Sequence, residues 1–172
     1  TGKQYVYNRL DSSAKGIKAD GNLTINSGTI WVKTPGGEGS EGIESKSTLT
    51  VNGGDVSVYS YDDCMNASKS IVINGGNIRA RGQNRASAIG GTFQDHADVA
   101  SSGYSSEKRL GGSITINGGI VRTEAITSGT AITAFNVGIG SCCSGYGGSV
   151  TINGGTVIAN AASSAISTGR DG

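Results

Sequence analysis

Five stretches of the chain repeat one ten-residue pattern of apolar and polar positions: Leu23–Val32, Leu49–Val58, Ile71–Ala80, Ile114–Thr123 and Val150–Ala159. Each runs apolar, variable, apolar, Asn and a small pair, then resumes with apolar residues at every second place. The small pair is Ser27-Gly28 in the first copy and Gly-Gly in the other four. Period-two alternation on both sides of a glycine pair predicts two half-buried strands meeting at a corner.

A shorter motif precedes each copy, and a sixth follows the last. Lys15-Gly16-Ile17-Lys18, Glu41-Gly42-Ile43-Glu44, Asp63-Cys64-Met65-Asn66, Ser87-Ala88-Ile89-Gly90, Thr130-Ala131-Ile132-Thr133 and Ser164-Ala165-Ile166-Ser167 have the form of one further strand. From its central apolar residue to the following Asn is 9 residues in the first three copies: 17 to 26, 43 to 52 and 65 to 74. Three short strands per turn, repeated, predict an all-β parallel β-helix, a solenoid of about five coils, in which like residues stack about 4.8 Å apart. Ile25, Val51, Ile73, Ile116 and Ile152 form one inward column, and Ile30, Val56, Ile78, Val121 and Val157 another. Asn26, Asn52, Asn74, Asn117 and Asn153 are placed to bond amide to amide as an Asn ladder. The glycines after them suit a turn of positive φ.

Counting from Ile89 and from Ile132, the third-to-fourth and fourth-to-fifth steps are longer than the rest. The excess predicts two inserted loops at one corner, around Gln94–Leu110 and Gly138–Gly148, with a helical turn allowed in Asp95–Ser101. Tyr5–Asp11 and Ser163–Gly172 have the form of partial coils. Residues 1–172 are expected to be one domain, complete or cut from a longer surface protein.

Composition narrows the function classes. There are 30 Gly, 1 Pro and few aromatics, yet the apolar periodicity supplies a face to bury and argues against disorder. A net charge of +1 gives no general field for nucleic acid or an anionic membrane, and no apolar run has membrane-spanning length. Cys64, Cys142 and Cys143 have neither disulfide-framework nor metal-site spacing. The single histidine, His96, falls in the first inserted loop, and no nucleophile-elbow, phosphate-loop or zinc-helix motif occurs. Catalysis is not the expected role.

Two constellations are candidates for binding. Glu41 and Asp63 fall in one column on consecutive coils, with Glu38, Glu44 and Asp62 close by. Stacked carboxylates repel and call for neutralisation, either by Ca2+, which takes hard oxygen ligands, or by Lys15, Lys18 or Lys46 on neighbouring strands. The second is the outward face of the strand after the Asn corner. Its columns read Trp31, Ser57, Arg79, Arg122, Ile158 and Lys33, Tyr59, Arg81, Glu124, Asn160. Sugars stack on aromatic faces and acidic sugars offer carboxylates to arginine, so Trp31, Lys33, Tyr59, Arg79, Arg81 and Arg122 are the candidate carbohydrate-binding residues. An ordinary solvated sheet face would carry the same residues.

Lys15–Asp20, Glu41–Lys46, Asp62–Ala67 and the repeated T-I-N-G and T-V-N-G corners resemble a bacterial cell-surface family of carbohydrate-binding domains with a right-handed, pectate-lyase-like parallel β-helix. The resemblance covers Leu10 to about Ala80, and later coils match more general surface repeats. It implies secretion or display on a bacterial surface, Ca2+ at the acidic positions Glu41, Glu44, Asp62 and Asp63, and a plant polysaccharide as partner; the charge and the apolar runs already lead to an expectation of no nucleic acid and no membrane insertion. Lys18 and Asn66 depart from acidic residues in the Glu44 column, and Cys64 stands where glycine is usual. The leading expectation is a non-catalytic module for acidic plant-type glycans, assisted by Ca2+. Its rivals are a Ca2+-dependent polysaccharide lyase with Lys15 or Lys18 as base, and a structural subunit that self-associates head to tail into a filament.

Overall fold

The computed structural model describes residues 5–7, 10–12, 14–37, 40–83, 87–90, 113–126, 137–140, 149–162 and 164–167. Among them the chain is all-β, without helix. A small antiparallel pair, β1 (Tyr5–Tyr7) and β2 (Leu10–Ser12), comes first. Three parallel sheets follow, and the chain visits them in rotation. One holds the short strands β3 (Ile17–Ala19), β6 (Ile43–Ser45), β9 (Met65–Ala67), β12 (Ser87–Gly90), β15 (Val137–Gly140) and β18 (Ser164–Ser167). Another holds β4 (Leu23–Ile25), β7 (Thr48–Val51), β10 (Ser70–Ile73), β13 (Ser113–Ile116) and β16 (Val150–Ile152). The last holds the six-residue strands β5 (Thr29–Thr34), β8 (Asp55–Ser60), β11 (Asn77–Gly82), β14 (Ile120–Ala125) and β17 (Thr156–Ala161). In each of these three sheets a strand pairs with the one three elements earlier, an arrangement compatible with a parallel β-helix.

Alternation decides which side is buried. In β8, Val56, Val58 and Ser60 are buried while Asp55, Ser57 and Tyr59 face partly outward. Register then stacks like on like: Ile30↔Val56↔Ile78↔Val121↔Val157 and Ile25↔Val51↔Ile73↔Ile116↔Ile152. The middle members of both columns lose all contact with water, whereas Ile152 stays 46% exposed. Its strand β16 lies at one edge of the sheet, and the expected burial of that position is not reached, whereas Ile25 on the opposite edge strand β4 is buried. Cys64 is a free, buried thiol in the column of Gly42, and burial pushes its pKa up, with Asp63 adding to the effect.

The corner has two distinct requirements. Gly28, Gly54, Gly76, Gly119 and Gly155, the second residue of each pair, have φ from 86° to 100°. The first residue is limited by space instead: a Cβ on Gly75 would lie 2.9 Å from the Asn52 carbonyl oxygen one pass earlier, and on Gly118 2.9 Å from that of Asn74. Ser27 occupies this place in the first pass, where no earlier corner lies beneath it. Outside the corner, Asn52 donates to Asn26, Asn74 to Asn52, Asn117 to Asn74 and Asn153 to Asn117, each amide bond 2.8 Å long.

One short strand lies elsewhere than expected. Ile139, not Ile132, pairs with Ile89 and Ile166, so β15 occupies Val137–Gly140, and Thr130–Thr133 lie outside the described residues. The extra residues of that pass therefore fall on both sides of β15, and only those after it share the corner of the first insertion. Gln94–Leu110, His96, Cys142 and Cys143 lie outside the described residues.

The corner geometry makes a direct prediction. Gly75→Ser should destabilise the chain by about 1–3 kcal/mol, because its Cβ has no room, while Ser27→Gly should change stability by less than about 0.5 kcal/mol. Urea midpoints of the two variants, measured side by side, test this; equal effects would contradict it.

Candidate functional site

The outward positions of β5, β8, β11 and β14 bring the six sequence-predicted binding residues onto one sheet face. Register sets Trp31↔Ser57↔Arg79↔Arg122↔Ile158 in one column and Lys33↔Tyr59↔Arg81↔Glu124↔Asn160 in the next. Trp31 is 73% exposed, which no packing role explains. Tyr59 lies between two cations: Lys33 Nζ and the Arg81 guanidinium are each 5.8 Å from its ring centroid. The neighbouring sheet is different in kind, since its outward column reads Thr24, Thr50, Val72, Thr115 and Thr151, with no charge and no aromatic ring.

Two carboxylates that the sequence reading left out of the site complete the face. Arg79 Nη1 pairs with Asp55 Oδ1 at 2.8 Å, and Arg81 Nε with Glu124 Oε2 at 3.1 Å. Arg122 Nη1 donates instead to the neutral Asn77 Oδ1 at 3.2 Å. Asp55 follows the glycine corner directly, and its register opposite Asn77 places it one strand from Arg79. That offset was available in the sequence; the lean of Arg79 back along its strand was not.

Glu41, Glu44, Asp62 and Asp63 form the second group, and all four are buried. They lie where β6 and β9 stack, since the Gly42 N–H donates to the Asp63 carbonyl and the Gly16 N–H to that of Glu41. Lys15 therefore shares their column. Its Nζ is 3.0 Å from Glu41 Oε2 and 4.0 Å from Glu44 Oε2. Lys46 pairs with Glu44 Oε1, and the Ser87 N–H donates to Asp63 Oδ1 at 2.6 Å. Lys18 lies opposite Glu44 in register yet pairs with Asp20 at 3.6 Å. Burial pushes the Glu41 carboxyl up to about 7; Lys15 opposes that shift, and Glu44 and Asp62 add to it.

The donor set is the hard-oxygen kind that Ca2+ takes. Among the described residues, however, no three His, Cys, Asp or Glu side chains converge as metal ligands, and Lys15 and Lys46 supply positive charge to the glutamates. Glu38 lies outside the described residues.

Residues 7–86 match the family described as carbohydrate-binding domain-containing protein. That segment contains Trp31, Lys33, Tyr59, Arg79 and Arg81 together with the whole acidic corner. The match spans a little under half of the chain. Neither the curated proteins nor the solved structures give a match to this chain. No helix among the described residues is long and apolar enough to cross a membrane.

The raised Glu41 pKa fixes the sign of a pH effect. Between about 4.5 and about 7 the folded state holds a proton that the unfolded state has released, so this group's contribution to stability falls as pH rises through that window. Glu41→Gln should flatten that fall by an amount on the order of 3 kcal/mol at most. Denaturant midpoints at pH 5 and pH 8, in chelator, measure it. An unchanged pH slope in the variant would show that Glu41 does not titrate there.

Proposed function

We propose that the chain is a non-catalytic polysaccharide-binding module, a right-handed solenoid of about five coils with an Asn ladder. Its glycan lies on the outward face of β5, β8, β11 and β14. The observation that carries this reading is the 73% exposure of Trp31 on the one described face that combines aromatic rings with cations. The match of residues 7–86 to a carbohydrate-binding family supports the ligand class. Carboxylate-bearing, plant-type sugars suit the Arg79, Arg81, Arg122 and Lys33 side chains. Secretion and display on a bacterial surface belong to the same proposal.

Ca2+ assistance is a separate part of it, with Glu41, Glu44, Asp62 and Asp63 as the oxygen donors. A bound Ca2+ would supply countercharge to carboxylates that Lys15 and Lys46 now neutralise. A lyase is less well supported, because the bases it would use are engaged: Lys15 is buried against Glu41, and Lys18 pairs with Asp20. End-to-end assembly is a second reading, favoured by Ile152 and Ile166, which are 46% and 45% exposed on edge strands β16 and β18.

Two measurements test the proposal. Trp31→Ala should lower affinity for a bound polysaccharide by about tenfold or more without changing the thermal midpoint, since its ring is solvent-exposed; calorimetry with undiminished binding would move the glycan off this face. Lys15→Met leaves buried carboxylates uncompensated and should cost about 3–5 kcal/mol in chelator. Millimolar Ca2+ should restore much of the lost stability. A variant that Ca2+ leaves equally unstable would remove the metal from the proposal.

A further inference from the structure

Side-chain size along the outward face of β5, β8, β11, β14 and β17 leaves one low point. The middle column reads Trp31, Ser57, Arg79, Arg122 and Ile158, and Ser57 is its one small member. Its four nearest outward neighbours are all larger: Trp31 and Arg79 on the strands to either side, Asp55 and Tyr59 two residues away along β8. Trp31 is 73% exposed, whereas Ser57 on the same face is half-buried at the foot of these neighbours. The walls are held in place. Asp55 Oδ1 accepts from Arg79 Nη1 at 2.8 Å and from Asn77 Nδ2 at 3.4 Å. The Tyr59 ring has Lys33 on one neighbouring strand and Arg81 on the other, each 5.8 Å from its centroid, so cations already occupy its surroundings. The Trp31 indole and the Ser57 hydroxyl, by contrast, have no side-chain hydrogen bond, ion pair or ring contact among the described residues.

Side chains stand nearly perpendicular to a sheet. Strands β5 and β11 are two spacings apart, so Trp31 and Arg79 face each other across about 10 Å. The apolar face of a sugar against the indole lies about 4 Å from it. What remains is the contact of that same ring with the Arg79 stem, and a second ring has no room. Along β8 the recess is closed by Asp55 at one end and Tyr59 at the other, so a polysaccharide does not thread through it. A ring with nothing attached beyond it can enter from solvent. Such a ring meets an apolar wall in Trp31, a hydroxyl floor in Ser57, and donors and acceptors at its rim from Asp55, Arg79 and Tyr59. An apolar wall with a few fixed polar groups is the usual make-up of a small-molecule subsite. We propose that the recess over Ser57 is a subsite for a single pyranose ring, and that the domain reads the end of a glycan chain or a one-sugar branch rather than the interior of a linear chain. This rests on the glycan lying on this face, as proposed above.

Trp31 is the only tryptophan in the chain, so its fluorescence reports a ring stacked on it. The purified chain is titrated with xylo-oligosaccharides and with oligogalacturonates of two to six rings, following that signal and, in parallel, the heat of binding. A single-ring subsite predicts that, in the series that binds, affinity per molecule changes by less than about threefold from the shortest to the longest. A chain lying across several strands would instead gain with each ring added. Ser57→Leu fills the recess and should lower affinity by about tenfold or more, abolishing the fluorescence change while the thermal midpoint stays in place. Thr50→Leu, an equally bulky change on the outward face of the neighbouring sheet, should alter neither binding nor the fluorescence response. Affinity that climbs steadily with length, or a Ser57→Leu chain that binds as well as the unmodified one, overturns the subsite; loss of binding in Trp31→Ala then leaves the face itself standing. Binding of neither series, or binding that neither Trp31→Ala nor Ser57→Leu weakens, overturns both.

Discussion

Parallel, in-register pairing is the constraint on which the rest depends. Because each strand pairs with the one three elements earlier, every side chain rests on its counterpart from the previous pass, about 4.8 Å away. A residue must therefore tolerate its own kind as a neighbour. Isoleucine and valine do so by burying methyl groups against methyl groups, and asparagine by handing one amide proton down the column. Carboxylates do not, and the columns of Glu41, Glu44 and Glu124 each include a lysine. Lys15 lies one pass from Glu41, and Glu124 one strand from Arg81.

This constraint explains why so much was legible in the chain. A position repeated five times identifies its own role, so the inward columns, the Asn corner and the outward face emerge from period-two alternation and a constant spacing alone. Legibility failed where the repeat became short or ran out. The strands of the β6 sheet have one central apolar residue each, and Thr130-Ala131-Ile132-Thr133 copies the small-apolar-small form of Ser164–Ser167 more closely than Val137–Gly140 does. Strand pairing, which sequence does not display, favours Ile139. Ile152, on edge strand β16, is the one member of its column that stays exposed, although Ile25 on the opposite edge strand is buried.

The candidate site divides in the same way. Alternation placed Trp31, Lys33, Tyr59, Arg79, Arg81 and Arg122 on one face, and column spacing placed Glu41 beside Asp63. Which charge answers which was beyond it. Long side chains reach one strand or two residues in any direction, so Lys15, Lys18 and Lys46 were equivalent candidates for the acidic corner until geometry assigned Lys15 and Lys46 to Glu41 and Glu44, and Lys18 to Asp20. Asp55 escaped notice because it begins its strand, although its register beside Asn77 puts it within reach of Arg79.

Burial separates the two charged groups functionally. At the corner the glutamates lie out of water, so desolvation is costly, and removing Lys15 would leave charge with no solvent to answer it; that is the setting of a structural pair or of a cation that replaces one. On the outward face the ion pairs are half exposed and each contributes about 1 kcal/mol or less, so a ligand can part them at little expense. Recognition belongs where rearrangement is cheap. The outward strip is thus the better place for a glycan, and the corner the better place for whatever holds two passes of the chain together.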